Sequence, residues 1–530
     1  MATTTTADDA ALPAAAPQAS AAPPPLSGAQ LVAGTIALST ATFMIVLDTS
    51  IANVSIPAIS GDLGVSSSQG TWVITSFAVA NAIAVPLTGW LTERFGQVRL
   101  FTMATLLFVI ASWLCGLAPN LESLIVFRVV QGLVSGPLIP LSQAMMLSSY
   151  PKAKSGTALA MWGMTTLVAP VAGPLLGGWI SDDYSWPWIF FINIPVGIAA
   201  AYATWVIYRT RESATHKLPI DTVGLGLLVV WIAALQIMLD KGKELDWFAS
   251  TQIVTLAIVA VVGFVLFLIW ELTDRHPVVD LRLFAGRNFT MGTLTLAVAY
   301  GTFFGSVVLL PLWLQTQMSY TATDAGLVLA PVGLLAILLS PVIGRMLAKT
   351  DPRYIASFSF VVFALVSFMR AQFNTQVDMA TLMVPTILQG AAVACFFIPL
   401  VSITLSGLPP EKIPSASGLS NFARITAGAF GTSISTTLWD DRATMHHAHL
   451  VESINSGNVA ATQTIQSLQG SGLSQSQTLL TIDRIINAQA YVLSADDIFY
   501  ASAIIFLLLL PFLWLARPRK GASAEAGGAH

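Results

Sequence analysis

Three charged side chains lie inside long apolar stretches of this sequence, namely Asp48, Arg128 and Arg424. A charge at the centre of a membrane-spanning helix costs about 2.5 to 3.5 kcal/mol, so it needs a partner or a function. Asp48 and Arg128 are about six and seven residues from the outer ends of their predicted helices. At 1.5 Å per residue both lie about 10 Å below the outer surface, a depth at which they can form an ion pair.

The chemistry open to such a pair is proton transfer. A carboxylate beside a guanidinium can take up a proton and release it again, while the cation competes with the proton for the same oxygens. We therefore predict that Asp48 and Arg128 couple proton movement to a conformational cycle. The alternative is an ion pair with a purely structural role.

Arg424 lies nearer the cytoplasmic side, about eight residues into its predicted helix, and no acidic residue has a comparable depth. We predict that it lines a substrate cavity together with Asn53 and Asn421 and attracts anionic substrates. The alternative is that its long side chain reaches toward the inner membrane interface.

The composition shows what kind of element must hold these charges. Of the 530 residues, 55% are hydrophobic and 10% are charged, and the mean hydropathy is +0.73. Soluble domains have about 25% charged residues, so this is a multi-pass membrane protein in a lipid bilayer. The net charge of -3 comes without a basic patch, and we predict no nucleic-acid partner. The sequence has no phosphate-binding loop pattern, which argues against a built-in ATPase.

Fourteen apolar runs are long enough to cross a bilayer. They fall at about 31–54, 72–92, 100–118, 122–146, 157–180, 188–208, 221–240, 251–271, 290–313, 325–347, 355–372, 379–405, 416–437 and 497–515. Motifs recur at an offset of about 255 to 259 residues: Gln131-Gly132 returns as Gln389-Gly390, and Pro86 to Gly89 resembles Pro341 to Gly344.

This repeat predicts two homologous six-helix halves with two helices inserted between them, which describes an all-α membrane protein with the major facilitator fold. The predicted divisions are a disordered tail at 1–28, an N-terminal half at 29–210, inserted helices at 211–275, a C-terminal half at 276–515 and a second tail at 516–530. Outside the three charges in the helices, 17 Lys and Arg residues fall on one side and 5 on the other. Both termini are therefore predicted to be cytoplasmic.

The last outer loop is predicted at about 438–496 and is long and polar, which is typical of functional or disordered loops. It carries His446, His447 and His449, but without accompanying Cys or dense acidic residues we predict surface polarity rather than a metal site. Cys115 and Cys395 lie in apolar runs and are predicted to be packing residues. No cofactor and no catalytic residues are predicted.

Two further segments predict moving parts. The fifth predicted helix is rich in residues that bend helices or permit close approach, which suits the seam between two rocking halves. These residues are Gly163, Pro170, Gly173, Pro174, Gly177 and Gly178. The loop after the second helix contains Gly89, Glu93, Arg94 and Gly96, and predicts a charge latch at a cytoplasmic gate. A solvated loop that only sets topology is the alternative.

Several of these motifs resemble those of the fourteen-helix drug:proton antiporters of the major facilitator superfamily. The resemblance rests on Leu47 to Pro57, Leu124 to Gly132 and Gly163 to Gly178. Further stretches extend it across nearly the whole chain, namely Trp72 to Trp90, Ile189 to Pro195, Leu239 to Trp247 and Met445 to Ala448. Gly89 to Arg99 is similar to the general facilitator loop motif, but Glu93 stands where Asp is usual and Gln97-Val98 where basic residues are usual.

The resemblance implies proton-driven export of hydrophobic drugs and weak acids across a bacterial inner membrane, by alternating access. It also implies two partners, a periplasmic adaptor of the EmrA type and an outer-membrane channel of the TolC type, and we expect the 438–496 segment to contribute to adaptor binding. Two alternatives stay open from the residues alone: a proton-coupled importer of a small nutrient on the same fold, and a receptor or scaffold that transports nothing.

Overall fold

The computed structural model describes residues 24–517, except 152–153, 217–218, 220, 276, 348 and 456–457. The predicted tails at 1–28 and 516–530 lie almost entirely outside the described residues. The described helices are α1 Gly28–Asp62, α2 Ser67–Gly70, α3 Trp72–Ala84, α4 Thr88–Phe95, α5 Gln97–Gly116, α6 Leu121–Ser135, α7 Leu138–Ser149, α8 Ser155–Asp183, α9 Trp188–Phe191, α10 Asn193–Tyr208, α11 Thr222–Lys241, α12 Thr251–Thr273, α13 Arg287–Gln317, α14 Ala322–Leu347, α15 Pro352–Arg370, α16 Met379–Thr404, α17 Ile413–Glu452, α18 Val459–Gly470 and α19 Gln475–Leu515.

These helices account for every predicted membrane-spanning run. Among the described residues, 11 helical segments are long and apolar enough to cross a membrane, and the bent pair α3 and α4 brings the number to 12. The two remaining long helices, α8 and α17, cover the predicted runs at 157–180 and 416–437. A helix or a helix pair therefore lies at each of the fourteen predicted positions.

Two of the spans are interrupted where a proline removes a backbone donor. Pro86 separates α3 from α4, and the two helices meet at 62°. Pro137, preceded by Gly136, separates α6 from α7. Gly136 is packed closely, because a Cβ there would lie 2.4–2.8 Å from atoms of Ala84 and Val85, so both interruptions occur where the α3–α4 span crosses the α6–α7 span.

The internal repeat is visible in how the two halves pack. A Cβ on Gly132 of α6 would lie 2.5 Å from the carbonyl oxygen of Phe77 in α3. A Cβ on Gly390 of α16 would lie 2.7 Å from the carbonyl oxygen of Val332 in α14. Each glycine lets two helix backbones touch at the same place in its own half, as small residues do at helix interfaces in membranes.

The inserted hairpin of α11 and α12 packs against helices from both ends of the chain. Trp231 of α11 belongs to one apolar cluster with Ile83 of α3, Phe267 of α12 and Leu419 of α17. Near the outer end, the Ser433 hydroxyl of α17 donates to the Leu239 carbonyl of α11 at 2.8 Å. The hairpin therefore lies against the groove between α3 and α17.

The two halves meet at the face that the charge distribution predicts to be cytoplasmic. A Cβ on Gly156 of α8 would lie 2.5 Å from the carbonyl oxygen of Gly344 in α14. A Cβ on Gly418 of α17 would lie 2.9 Å from the carbonyl oxygen of Val85, just after α3. Backbones in direct contact leave no room for a passage there, so this end of the molecule is closed in the conformation described.

The predicted loop at 438–496 is wrong as a loop, because most of it is helical. Helix α17 continues to Glu452, and α18 follows. Helix α19 begins at Gln475, and Ser474 and Gln477 form a capping box at its start. The polar composition of this segment had suggested a loop, but many of its residues, including alanine, glutamine and leucine, are good helix formers. Buried Trp439 anchors the extension by donating to the Tyr491 carbonyl at 3.0 Å.

Candidate functional site

Asp48 and Arg128 form a buried ion pair between α1 and α6. The Asp48 Oδ2 to Arg128 Nη1 distance is 2.6 Å, and the two residues are 2% and 0% exposed. The sequence predicted that their depths permit such a pair. A charge-assisted bond of this length is strong, and each charge offsets much of the desolvation cost of the other.

The other oxygen of Asp48 accepts two amide hydrogen bonds. Asn193 Nδ2 donates to Oδ1 at 2.8 Å, and Gln131 Nε2 donates to it at 3.1 Å. Asn193 also donates to the Ser112 hydroxyl at 3.0 Å. Sequence reasoning missed Asn193, Gln131 and Ser112 as partners, although an amide inside the apolar run that starts at Trp188 was a signal that could have been used.

Arg128 is held in place by neutral neighbours as well as by the acid. Its Nε donates to the Val73 carbonyl at 3.1 Å, and Nη1 also donates to Gln131 Oε1 at 2.7 Å. Its guanidinium carbon lies 4.2 Å from the centre of the Phe77 ring, a cation–π contact. Its Nη2 is buried and has no hydrogen-bond partner among the described residues. One donor is thus already unsatisfied before any proton reaches Asp48.

Both charges are sealed from water in this conformation. A proton can reach Asp48 only after the surrounding helices move, so the pair can serve transport only if the conformational cycle opens it. This geometry fits a carboxylate that exchanges its proton with water in one conformation and is sealed from water in another.

The small residues of α8 lie where they can transmit such a movement. Gly173 packs against Ser50 of α1, and a Cβ on Gly177 would lie 3.1 Å from the Ile51 carbonyl oxygen. Both neighbours are within three residues of Asp48 in sequence. Gly173 and Gly177 pack within their own half, while helix α8 as a whole also packs along α14 of the other half, and its role as the seam stays a prediction.

The rest of that motif is arranged differently. Gly163 faces the other half, with a Cβ there 3.8 Å from Ile398 of α16, and Gly178 has open space within 4 Å. Helix α8 runs without a break through Pro170 and Pro174, whose side chains lie outside the described residues.

Arg424 lies in an aromatic setting near the middle of the molecule. It is 7% exposed, and its guanidinium carbon is 4.7 Å from the Tyr300 ring centre and 5.6 Å from that of Phe397. Its Nη2 donates to Asn421 Oδ1 at 2.9 Å. Among the described residues no carboxylate lies within 4 Å of it, so Arg424 is a buried cation without a paired acid.

Asn421 links this region to the other half, because its Nδ2 lies 3.3 Å from Gln143 Oε1 of α7. Asn53, the third predicted cavity residue, is exposed and lies on the outer part of α1. The structure therefore brings Arg424 and Asn421 together but does not bring Asn53 to them. Their roles in substrate binding stay a prediction.

The residues of the predicted charge latch lie at this closed end of the molecule. Among the described residues Glu93 has no ion pair with the C-terminal half, and its carbonyl accepts from His216 N at 2.8 Å. The guanidinium carbon of Arg94 lies 5.5 Å from the Trp90 ring centre within the same helix. Gly89 packs directly on Ser415 of α17 in the other half, and the charge latch stays a prediction.

Gly96, also in the predicted gate loop, lies just before α5. Its φ of +84° is one that residues with a Cβ rarely adopt, and the Glu212 side chain packs against it. Glu212 accepts from the backbone N–H groups of Val98 and Arg99, both at 2.9 Å, and so caps the start of α5. Sequence reasoning missed Glu212.

Arg370 was one of the five Lys and Arg residues counted on the outer side, and the structure places it differently. It is the last residue of α15, is 1% exposed, and donates to Gln389 Oε1 at 2.6 Å. The error arose because a charge at the end of an apolar run was taken to be in solvent. Gln389 is the repeat partner of Gln131, so each half contains a buried arginine bonded to the equivalent glutamine.

The histidines of the outer extension pair with acids of α19. His446 Nε2 lies 2.9 Å from Asp497 Oδ2, and His447 Nε2 lies 3.2 Å from Asp483 Oδ1. No group of three potential metal ligands was found within the described part of the chain.

Two six-helix halves that meet at one end, with a sealed carboxylate–arginine pair in one half and an unpaired buried arginine in the other, are the architecture of a multi-pass membrane transporter. The sequence matches the Major Facilitator Superfamily model over residues 38–432. The chain belongs to this superfamily and, within it, to the EmrB group of multidrug export proteins; it is a multi-pass membrane transporter and not an enzyme.

The relatives that place it there are similar over nearly their whole length. The multidrug export protein EmrB of Escherichia coli K12 is 55% identical over 96% of this chain and 99% of that protein. The fatty acid resistance protein FarB of Neisseria gonorrhoeae is 50% identical over 96% of this chain and 99% of that protein.

Solved structures confirm the predicted fold. The human organic anion transporter MFSD10 aligns with a TM-score of 0.55 at 12% identity, covering 92% of this chain and all of that one. The proton:xylose symporter XylE aligns with a TM-score of 0.57 at 13% identity, covering 92% of this chain and 95% of that one.

Proposed function

We propose that this chain is a proton-driven antiporter that exports hydrophobic drugs and weak acids by alternating access. The observation that carries the proposal is the buried pair of Asp48 and Arg128. The names of the relatives, a multidrug exporter and a fatty acid resistance protein, support export of such substrates. The fold alone does not, because a proton:xylose symporter shares it.

Protonation of Asp48 is the coupling step. A proton on Oδ2 removes the charge that Arg128 pairs with, and the guanidinium is then buried without a counter-ion. Breaking one partner of a buried pair costs about 3 to 5 kcal/mol, so the sealed arrangement is disfavoured once the proton arrives. Movement of α1 against α8 at Gly173 and Gly177 then carries the change to the rest of the N-terminal half.

The driving force is sufficient for uphill export. One charge that crosses a membrane potential of about 150 mV supplies about 3.5 kcal/mol, enough for a gradient of roughly 300-fold. The proton enters Asp48 from the outer side and leaves to the cytoplasm, and both chain termini are cytoplasmic in this proposal.

Arg424 is the proposed recognition point for substrates. Its guanidinium provides positive charge for the carboxylate of a weak acid, while Tyr300 and Phe397 provide apolar surface for the rest of that molecule. Asn421 orients the guanidinium by accepting its hydrogen bond and reaches across to Gln143. The site therefore senses substrate at a contact between the two halves.

The proposed partners are a periplasmic adaptor of the EmrA type and an outer-membrane channel of the TolC type, with the protein in a bacterial inner membrane. The helical extension formed by the end of α17, α18 and the start of α19 is the proposed adaptor surface. Exposed apolar side chains support this assignment, including Val459, Leu479 and Leu480 at 69%, 55% and 60% exposure.

The test is transport in membrane vesicles of known orientation. In inverted vesicles an exporter accumulates drug when the interior is acidified, and collapse of the proton gradient releases it. A proton-coupled importer would not accumulate substrate in the same vesicles. It would accumulate substrate in right-side-out vesicles. That outcome would overturn the export proposal.

A further inference from the structure

A polar cavity and an apolar groove adjoin each other at the predicted cytoplasmic face, and the transport proposal uses neither. The cavity has a volume of about 190 Å³ and the groove about 350 Å³. Pro86 and Val279 line both, so the two spaces are adjacent. A ligand that fills both must be polar at one end and apolar at the other.

The polar cavity carries an excess of positive charge. Arg275, Arg282 and Lys412 line it together with Glu93 and Asp280. Lys412 neutralises Asp280 through an ion pair of 2.6 Å. Arg275 and Arg282 have no ion pair among the described residues, so Glu93 is the only acid left in the cavity lining to balance two arginines. The cavity therefore suits an anionic group.

The groove is almost wholly apolar and opens to the lipid side of the molecule. Its walls include Trp231 of α11, Phe267 of α12 and Phe422 of α17. Phe264 and Leu272, also in its lining, are 40% and 59% exposed and lie on the membrane-facing side of the inserted hairpin. They are eight residues apart on α12, so the groove follows about 12 Å of helix, a length suited to part of an acyl chain.

We propose that this composite site binds an anionic phospholipid of the adjacent leaflet, with its headgroup phosphate at Arg275 and Arg282 and one acyl chain in the groove. Basic pockets between membrane helices on the cytoplasmic side bind such headgroups, and the charge of this cavity is complementary to them. The site is independent of the proton-coupling pair, so it is a property beyond the proposed transport activity.

The site also has a conformational consequence. Glu93 and Trp90 of α4 form one wall of the cavity, whereas Arg282 and Lys412 near the C-terminal half form the opposite one. The walls come together only when this end of the molecule is closed. A lipid that contacts both walls therefore binds this conformation more tightly and raises its population.

The test compares phosphatidylglycerol with phosphatidylcholine on the full-length, delipidated protein, with binding measured by native mass spectrometry. The wild type should bind the anionic lipid roughly 30-fold more tightly, since each arginine contributes about 1 kcal/mol at an anionic surface. The double variant Arg275→Gln/Arg282→Gln should lose this preference and bind phosphatidylcholine as before. Arg345→Gln, an exposed arginine on α14 at the same face, is the matched control and should stay within twofold.

A groove variant separates chain binding from headgroup binding. The larger side chain of Leu268→Trp on α12 would fill part of the groove. It should weaken the binding of both lipids by about the same factor, so that the ratio between their affinities is kept. Thermal unfolding of every variant without added lipid checks that the protein is folded. If Arg275→Gln/Arg282→Gln unfolds earlier than the wild type, Arg275→Lys/Arg282→Lys takes its place, and it should retain the preference for phosphatidylglycerol.

Three results would overturn the inference. The first is equal binding of the two lipids to the wild type. The second is an unchanged preference in Arg275→Gln/Arg282→Gln. The third is one-for-one displacement of phosphatidylglycerol by a hydrophobic drug, which would assign the groove to the substrate. Spin labels at exposed Arg99 and Tyr354 test the conformational consequence: phosphatidylglycerol should favour the shorter distance in the wild type and have no effect in the double variant.

Discussion

Replacement of Asp48 by asparagine should separate two functions of the buried pair, its contribution to stability and its proton coupling. Asp48 accepts from Arg128, Gln131 and Asn193. An asparagine has one acceptor oxygen and one donor group, so it cannot accept on both sides. If its oxygen keeps the two amide donors, its NH2 group faces the Arg128 guanidinium.

The size of the effect follows from burial. Arg128 is 0% exposed and one of its donors already lacks a partner. An uncompensated buried charge destabilises a protein by about 3 to 5 kcal/mol. Removal of both charges in Asp48→Asn/Arg128→Met should recover about 2 kcal/mol of this, because the remaining cost is that of the acceptors at Val73 and Gln131, about 1 to 3 kcal/mol. We therefore expect the double variant to be more stable than Asp48→Asn.

Two assays on proteoliposomes distinguish stability from coupling. Thermal unfolding reports the recovery in the double variant. Substrate exchange without a proton gradient reports whether the halves still move, and drug accumulation driven by an imposed pH difference reports coupling. We expect the double variant to exchange substrate but not to accumulate it. Asp48→Glu is the matched control, since it keeps an ionisable oxygen at this position and should retain pH-driven accumulation.

The reasoning would be refuted by uphill transport in Asp48→Asn/Arg128→Met. Such a result would mean that the pair is structural and that protons pass elsewhere. Equal thermal stability of Asp48→Asn and the wild type would refute the energetic part, because it would show that Arg128 finds another counter-charge.

Three further predictions follow from other contacts. Arg424→Gln should lower export of a weak acid by about tenfold more than export of a neutral drug, and Arg424→Lys should keep most of that preference; equal losses in initial-rate measurements would contradict a charge-based role. Gly177→Val should slow transport, because its side chain meets the Ile51 carbonyl, whereas Gly178→Val has open space and should be tolerated; the reverse order would exclude the α8–α1 contact as part of the moving mechanism. Deletion of 453–474 at the tip of the outer extension should weaken capture of a purified EmrA-type adaptor while drug exchange in proteoliposomes continues; unchanged capture would assign the adaptor to another surface.

The sequence by itself determined that this protein lies in a lipid bilayer, the number of its spans and the position of three of its buried charges. Those are local properties: a bilayer requires about twenty apolar residues per span, and a charge within one is conspicuous whatever its neighbours are. The repeat of Gln131-Gly132 at Gln389-Gly390 also predicted two related halves. Each glycine lets two helix backbones touch, so the position itself excludes larger residues.

Only the tertiary structure decided which side chains share a site. Asn193 is 145 residues from Asp48 in sequence, and Arg128 is 80 residues from it. The local sequence around neither residue shows which way its side chain faces. Gly173 and Gly177 could have faced any neighbouring helix, and only the packing of α8 put them against α1. Likewise, the burial of Arg370 depends on what surrounds the end of α15. A membrane-spanning helix can be recognised from its own residues, but its rotation about its axis is set by the helices that pack against it.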